Sequence, residues 1–215
     1  MVENIICVIA AYLIGSVPFG YLAGRLNGID LREHGSRNIG ATNTVRVLGK
    51  KWGIPVFILD FMKGYAPLLY MKYHLGGEVT QFSTCQMGWL LAVLFALVLG
   101  HTFTCFLKFR GGKGVATTAG CLVALSPTIG LWAVLTWVAS MVVTRYVSLS
   151  SMLAGVAMML AAAWVFWCGD GVCSVADMMV LGLLFLILVL VVVKHRSNIV
   201  RLCQGTEPKA FSSKK

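Results

Sequence analysis

Apolar runs separated by short polar clusters set the layout of this chain. Residues 5–24 carry no charge, 52–71 carry only Asp60 and Lys63, and 88–107 and 114–144 contain no Asp, Glu, Lys or Arg. The runs 146–167 and 175–193 follow, with Asp177 as their one charged residue. About 20 apolar residues suffice for a helix to cross a bilayer, so each run predicts a span. Segment 114–144 is too long for one perpendicular crossing and short for two. Ser126-Pro127 interrupts it near the middle, because proline removes a helical donor and restricts the residue before it. Read as two short helices, it brings the total to seven spans.

Charge placement orients these spans. No basic residue precedes the first run, which makes it a poor signal peptide. Arg25, Arg32, Arg37, Arg46, Lys50 and Lys51 follow it, Lys108, Arg110 and Lys113 follow the third run, and Arg145 sits in a later loop. Lys194, Arg196, Arg201, Lys209, Lys214 and Lys215 fill the tail. With seven spans all these residues fall on one side, which leaves only Lys63 and Lys72 of the 18 Lys and Arg elsewhere. Glu3, Glu78 and Asp170 fall on the other side. The positive side of a membrane protein is cytoplasmic. The expected fold is therefore an all-α, polytopic integral membrane protein of seven transmembrane helices, some short or tilted. Its N-terminus lies outside and its C-terminus is cytoplasmic, with residues 1–215 forming a single domain.

Composition agrees with this layout. Hydrophobic residues make up 58% of the 215 and charged residues 12%, with a mean hydropathy of +0.83. Soluble domains carry about 25% charged residues. The net charge of +10 reads as topology plus an anion-binding surface, since no DNA- or RNA-binding motif accompanies it. None of the seven Cys has a zinc spacing. Cys7, Cys105 and Cys121 read as apolar filler, whereas Cys168 and Cys173, with Cys85 on the same side, leave a disulfide open in an oxidising compartment.

Candidate chemistry lies in three polar clusters at the ends of apolar runs. The first is Gly35-Ser36-Arg37-Asn38-Ile39-Gly40-Ala41-Thr42-Asn43, with Arg46 shortly after it. A helix starting near Thr42 would place Arg46 one turn on, so that amides, hydroxyls and a guanidinium serve one phosphate. The second is Gly100-His101-Thr102 followed by Arg110-Gly111-Gly112-Lys113-Gly114. It is not a Walker loop, because Leu107 stands where the first Gly is needed and Gly114 where Ser or Thr is needed. A Gly-rich turn and a cation before an apolar helix still suit an anion. The third is His195-Arg196-Ser197-Asn198-Ile199-Val200-Arg201-Leu202. Gly permits close backbone approach to an anion, and Arg and Lys add charge-assisted bonds. His101 reads as a packing residue, and Asp60 with Lys63, three apart, reads as a structural ion pair.

These runs, with His195-Arg-x-Asn-Ile-x-Arg-Leu extended through Gly205 to Glu207 and with Asp60-x-x-Lys63-Gly64, closely resemble the acyl-phosphate:glycerol-3-phosphate acyltransferases of bacteria, the PlsY family. The resemblance covers nearly the whole chain; the outer loops are its least similar part. It implies a multi-pass enzyme of the bacterial inner membrane with an active site facing the cytoplasm. Such an enzyme moves a fatty acyl group from acyl phosphate to the 1-hydroxyl of sn-glycerol 3-phosphate. The products are 1-acyl-sn-glycerol 3-phosphate and phosphate, in the first acylation of phospholipid synthesis. The partners it implies are these two substrates and membrane lipid, with no nucleic acid, metal or cofactor.

By the same resemblance Ser36, Arg46, Lys113, His195 and Asn198 are catalytic. Asn38, Gly40, Thr42, Asn43, Gly111, Gly112, Arg201 and Glu207 are substrate-phosphate residues. His195 either accepts the glycerol hydroxyl proton or only binds phosphate. The His and Asp pair of other glycerolipid acyltransferases is missing: the fifth residues after His34, His74, His101 and His195 are Ile39, Val79, Phe106 and Val200. An activated acyl phosphate needs no covalent nucleophile, so the lack of a serine-hydrolase elbow excludes nothing. An organophosphate transporter is the alternative, but it would place its charges near the bilayer midplane, where only Asp60 and Lys63 lie. A non-catalytic membrane scaffold would not need three Gly-cation motifs.

Overall fold

The structure, a computed structural model, describes residues 1–77, 79–168 and 174–210. These residues form α-helices and two short 3-10 turns, without a strand. Six helical stretches are long and apolar enough to cross a membrane: Val2–Leu26, Lys50–His74, Thr84–Leu107, Pro127–Thr144, Val147–Trp167 and Val175–Lys194. Val115–Leu125 is a shorter apolar helix. At 1.5 Å per residue it is about 17 Å long, against a hydrocarbon core of about 30 Å. The expected break at Ser126-Pro127 is present, and Pro127 opens the following helix.

Contacts divide the chain into two compact units, Met1–Leu125 and Ser126–Lys215. The first contains α1 (Val2–Ser16), α2 (Phe19–Leu26), α3 (Ala41–Leu48), α4 (Lys50–His74), α5 (Thr84–Thr102) and α6 (Val115–Leu125). The first apolar run is not one continuous helix, because Pro18 drives Val17 to ψ 115° and separates α1 from α2. Glycines set the spacing of two helix pairs. A Cβ on Gly15 would strike the Leu97 backbone, and one on Gly100 the Tyr12 carbonyl, so α1 and α5 touch main chain to main chain. Gly64 meets the Thr117 carbonyl and Gly120 the Phe61 carbonyl, which joins α4 and α6 in the same way. Small residues drive helix association in lipid through this close packing. Ser83 and Gln86 form a capping box at the start of α5.

The second unit contains α7 (Pro127–Thr144), α8 (Val147–Trp167), α9 (Val175–Lys194) and the short α10 (Arg196–Cys203). Arg145, at φ 60°, makes the turn between α7 and α8, and the Trp137 indole donates to Ser151 Oγ at 3.3 Å. After α10 the chain returns to that turn: Ala210 N–H donates to the Arg145 carbonyl at 2.8 Å, and Lys209 lies over the Tyr146 ring.

Large apolar side chains cover the outside of both units, with Val143 82% and Trp167 78% exposed. In water these would be aggregation surfaces; against lipid tails they are the expected exterior. Cys173, Glu78, Asp170, Lys214 and Lys215 lie outside the described residues, and with Cys173 the disulfide left open between it and Cys168.

Candidate active site

The first cluster is shaped by one buried amide. Asn43, on α3, accepts the Ser36 N–H through Oδ1 at 2.8 Å. Its Nδ2 donates to the His34 carbonyl at 3.0 Å and the Leu31 carbonyl at 3.3 Å. That amide therefore fixes the loop rather than facing outward. Asn38 Oδ1 accepts the Gly40 N–H at 2.8 Å, and Gly40 begins α3. Ser36, Thr42 and Arg46 remain at the surface, with Arg46 in the last turn of α3. Neither Ser36 Oγ nor the Arg46 guanidinium has a partner among the described residues. On the same loop the Arg32 guanidinium, hydrogen-bonded to Asp30, holds that carboxyl down at about 2.

The second cluster rests on a buried charged group. Lys63 Nζ lies 2.8 Å from Asp60 Oδ1 and donates to the Val17 carbonyl at 2.7 Å. His101 Nδ1 lies 3.6 Å from the same Asp60 oxygen. Asp60 and Lys63 are 2% and 6% exposed, so the pairing expected from their spacing is present and desolvated. Removing one member of such a pair costs roughly 3–5 kcal/mol. Thr117 Oγ1 donates to the Asp60 carbonyl, tying α6 to the same point.

His101 and Thr102 then carry the glycine loop. Gly112 N–H donates to the His101 carbonyl at 3.0 Å and Gly111 N–H to the Thr102 carbonyl at 3.2 Å. The His101 imidazole fills the space that a Cβ on Gly112 would need. Lys113 follows, half-buried, and Gly114 at φ 79° turns the chain into α6. The expected glycine turn at the start of an apolar helix is thus present.

In the second unit His195 is 2% exposed, between α9 and α10. Its Nδ1 lies 2.8 Å from the Val191 carbonyl oxygen. Asn198, 7% exposed, donates from Nδ2 to Glu207 Oε1 at 2.6 Å. Ser148 Oγ donates to the same oxygen at 2.7 Å, and Arg201 Nε to Oε2 at 2.7 Å. Burial opposes ionisation of Glu207, but the bonds from Asn198, Ser148 and Arg201 outweigh it and hold the carboxyl below its ordinary range. Glu207 and Arg201 are engaged with each other, so Glu207 acts as a clamp on Asn198. Ser148 was not legible as part of this cluster: it stands 59 residues from Glu207 in a run with no distinguishing motif. No group of His, Cys, Asp and Glu among the described residues has the arrangement of a metal site.

Comparison with known proteins identifies the family. A family model described as Glycerol-3-phosphate acyltransferase matches residues 5–205. Glycerol-3-phosphate acyltransferase 3 of Bacillus anthracis is 42% identical over 217 residues, covering 100% of this chain and 99% of that one. The Aquifex aeolicus glycerol-3-phosphate acyltransferase is 41% identical over 201 residues, covering 93% and 95% of the two chains. The crystal structure of PlsY (YgiH), an integral membrane glycerol 3-phosphate acyltransferase, in its glycerol 3-phosphate form is similar at a TM-score of 0.84. It is 40% identical and covers 96% of this chain and 95% of that one. Its lysophosphatidic acid form gives a TM-score of 0.81 at 38% identity over the same shares. This chain, an integral membrane protein with transmembrane helices, belongs to the glycerol-3-phosphate acyltransferase family, PlsY.

Proposed function

We propose that this chain transfers a fatty acyl group from acyl phosphate to the 1-hydroxyl of sn-glycerol 3-phosphate. The products are 1-acyl-sn-glycerol 3-phosphate and inorganic phosphate. The observation that carries this reading is the full-length likeness, at about 40% identity, to enzymes named for acylating glycerol 3-phosphate. The acyl phosphate donor is supported by the residues: the chemistry needs cations for two phosphate groups and no covalent nucleophile.

The glycerol 1-oxygen attacks the donor's carbonyl carbon, the carbon–oxygen bond to phosphate breaks, and phosphate departs. Arg46 and Lys113 offset the charge that develops on the departing phosphate. Ser36 and Asn198 orient the substrates by hydrogen bonds, Asn198 being held by the Glu207 clamp. Of the remaining phosphate-binding residues, Thr42 and Asn38 offer side-chain donors, whereas the N–H groups of Gly40, Gly111 and Gly112 are bonded within their loops and these glycines serve by letting the backbone approach the phosphates closely. Asn43 acts through the loop that it braces.

A carbonyl only accepts, so the bond to Val191 places the neutral His195 proton on Nδ1 and the lone pair on Nε2. To bind a phosphate oxygen through Nε2, His195 must be an imidazolium. In this reading it is one, stabilised by the phosphate charge, and the hydroxyl proton passes to a phosphate oxygen of the donor.

The chain works in the bacterial inner membrane with seven spans, its N-terminus outside and its C-terminus and reaction site cytoplasmic. The basic loops support this orientation. Phosphate release from acyl phosphate by the purified protein in lipid, with and without glycerol 3-phosphate, tests the reaction.

A further inference from the structure

His101 has no part in the acyl transfer itself, yet both glycines before Lys113 are built around it. A Cβ on Gly111 would strike the His101 carbonyl oxygen, and one on Gly112 would strike ring atom Nε2. Neither glycine has a positive φ, so the turn does not call for them; the closeness of His101 does. The other edge of the ring faces Asp60, with Nδ1 3.6 Å from Oδ1. The imidazole is thus a spacer between a buried carboxylate and the main chain at Gly112.

Asp60 is itself fixed at both ends. Its carboxylate pairs with Lys63, which also donates to the Val17 carbonyl between α1 and α2. Its main-chain carbonyl accepts Thr117 Oγ1 at 3.0 Å, from the first turn of α6. The segment that carries Lys113 is therefore set against one residue from both sides, through His101 before it and Thr117 after it. A residue that only filled space would be better apolar, because burying ring nitrogens is costly unless they meet a partner.

We propose that His101 is a positioning residue for the reaction. Its ring, set against Asp60, holds Gly112 in place and so fixes where the Lys113 ammonium meets the departing phosphate. The consequence rests on the transferase reading; the contacts of His101 do not. A misplacement of about 1 Å can cost roughly 100-fold in rate.

The test separates positioning from stability. His101→Asn keeps an amide near the place of Nδ1, for Asp60, and removes Nε2 and Cε1, the ring atoms nearest the space beside Gly112. With acyl phosphate and glycerol 3-phosphate, its kcat should fall by at least roughly tenfold. The KM for glycerol 3-phosphate should stay within about twofold, because Lys113 acts on charge present only in the transition state. In the Lys113→Ala protein the same substitution should cost less than about twofold, since no cation is left to place. Adding Gly112→Ala to His101→Asn should raise activity, the methyl filling the vacated space, whereas in otherwise wild-type protein it lowers activity. A loss that is equal with and without Lys113 and follows Tm overturns the proposal, as does a His101→Asn protein with the wild-type kcat. If His101→Asn does not fold, adding His101→Ser to the Gly112→Ala protein decides: activity should rise, and no rise overturns the proposal. Failure of the transferase reading looks different, because the wild type itself would release no phosphate from acyl phosphate. Tm then still reads the contact: Gly112→Ala should lower it in the wild type and not in His101→Asn, and equal drops overturn the proposal.

Discussion

His195 Nδ1 lies 2.8 Å from the carbonyl oxygen of Val191, one helical turn before it. The bond fixes which nitrogen carries the proton of the neutral ring, and so makes the two roles open to His195 opposite in pH. As a general base, His195 works when neutral, and activity falls as pH drops through about 6 to 7. As an imidazolium holding phosphate, it works when charged, and activity falls as rising pH removes the ring proton. The expected result is an alkaline limb in the wild-type profile that His195→Ala loses, together with a raised KM for glycerol 3-phosphate. An acidic limb lost in the variant, with that KM unchanged, would assign the base role instead.

The loop before α6 should separate positioning from charge. Gly112→Ala pushes a methyl into the His101 ring, and overpacking of this kind costs about 1–3 kcal/mol. Activity should fall while the cation at 113 is still present. Lys113→Ala keeps the glycines and removes that cation, for which a loss of turnover of roughly 100-fold is expected. Steady-state kinetics and Tm on both variants check this. The expected pattern is a lower Tm for Gly112→Ala and, for Lys113→Ala, a loss of turnover that outweighs any change in Tm.

These two residues also mark what the sequence conveys. The glycines, Lys113 and the start of α6 follow from local rules, because a Gly-rich turn before an apolar run has few other uses. The Ser126-Pro127 break and the Asp60–Lys63 pair are legible for the same reason: each depends on residues a turn or less apart. What joins distant segments was not legible. The ring at Gly112 comes from the end of α5, and the third group beside the Asp60 carboxylate is the same His101. Ser148 reaches Glu207 only because the tail returns to the α7–α8 turn. Asn43 shows the converse: an asparagine in a polar loop reads as a ligand, yet its whole amide is bonded to backbone.

Orientation in the membrane is open to direct labelling. Single cysteines replacing Ser36, Gly111 and Ser197 on a cysteine-free background should all react with an impermeant reagent from the cytoplasmic side. Labelling of position 197 from outside alone would contradict seven spans and place the third cluster across the bilayer from the first two.

The identity of the acyl donor decides between this reaction and acyl transfer from a thioester. The direct measurement uses purified protein in lipid with glycerol 3-phosphate and either acyl phosphate or acyl-CoA, following release of phosphate or CoA and formation of the monoacylated product. With acyl phosphate, phosphate release should equal product formed and depend on glycerol 3-phosphate, and acyl-CoA should give no product. Equal turnover with acyl-CoA alone would contradict an acyl phosphate donor.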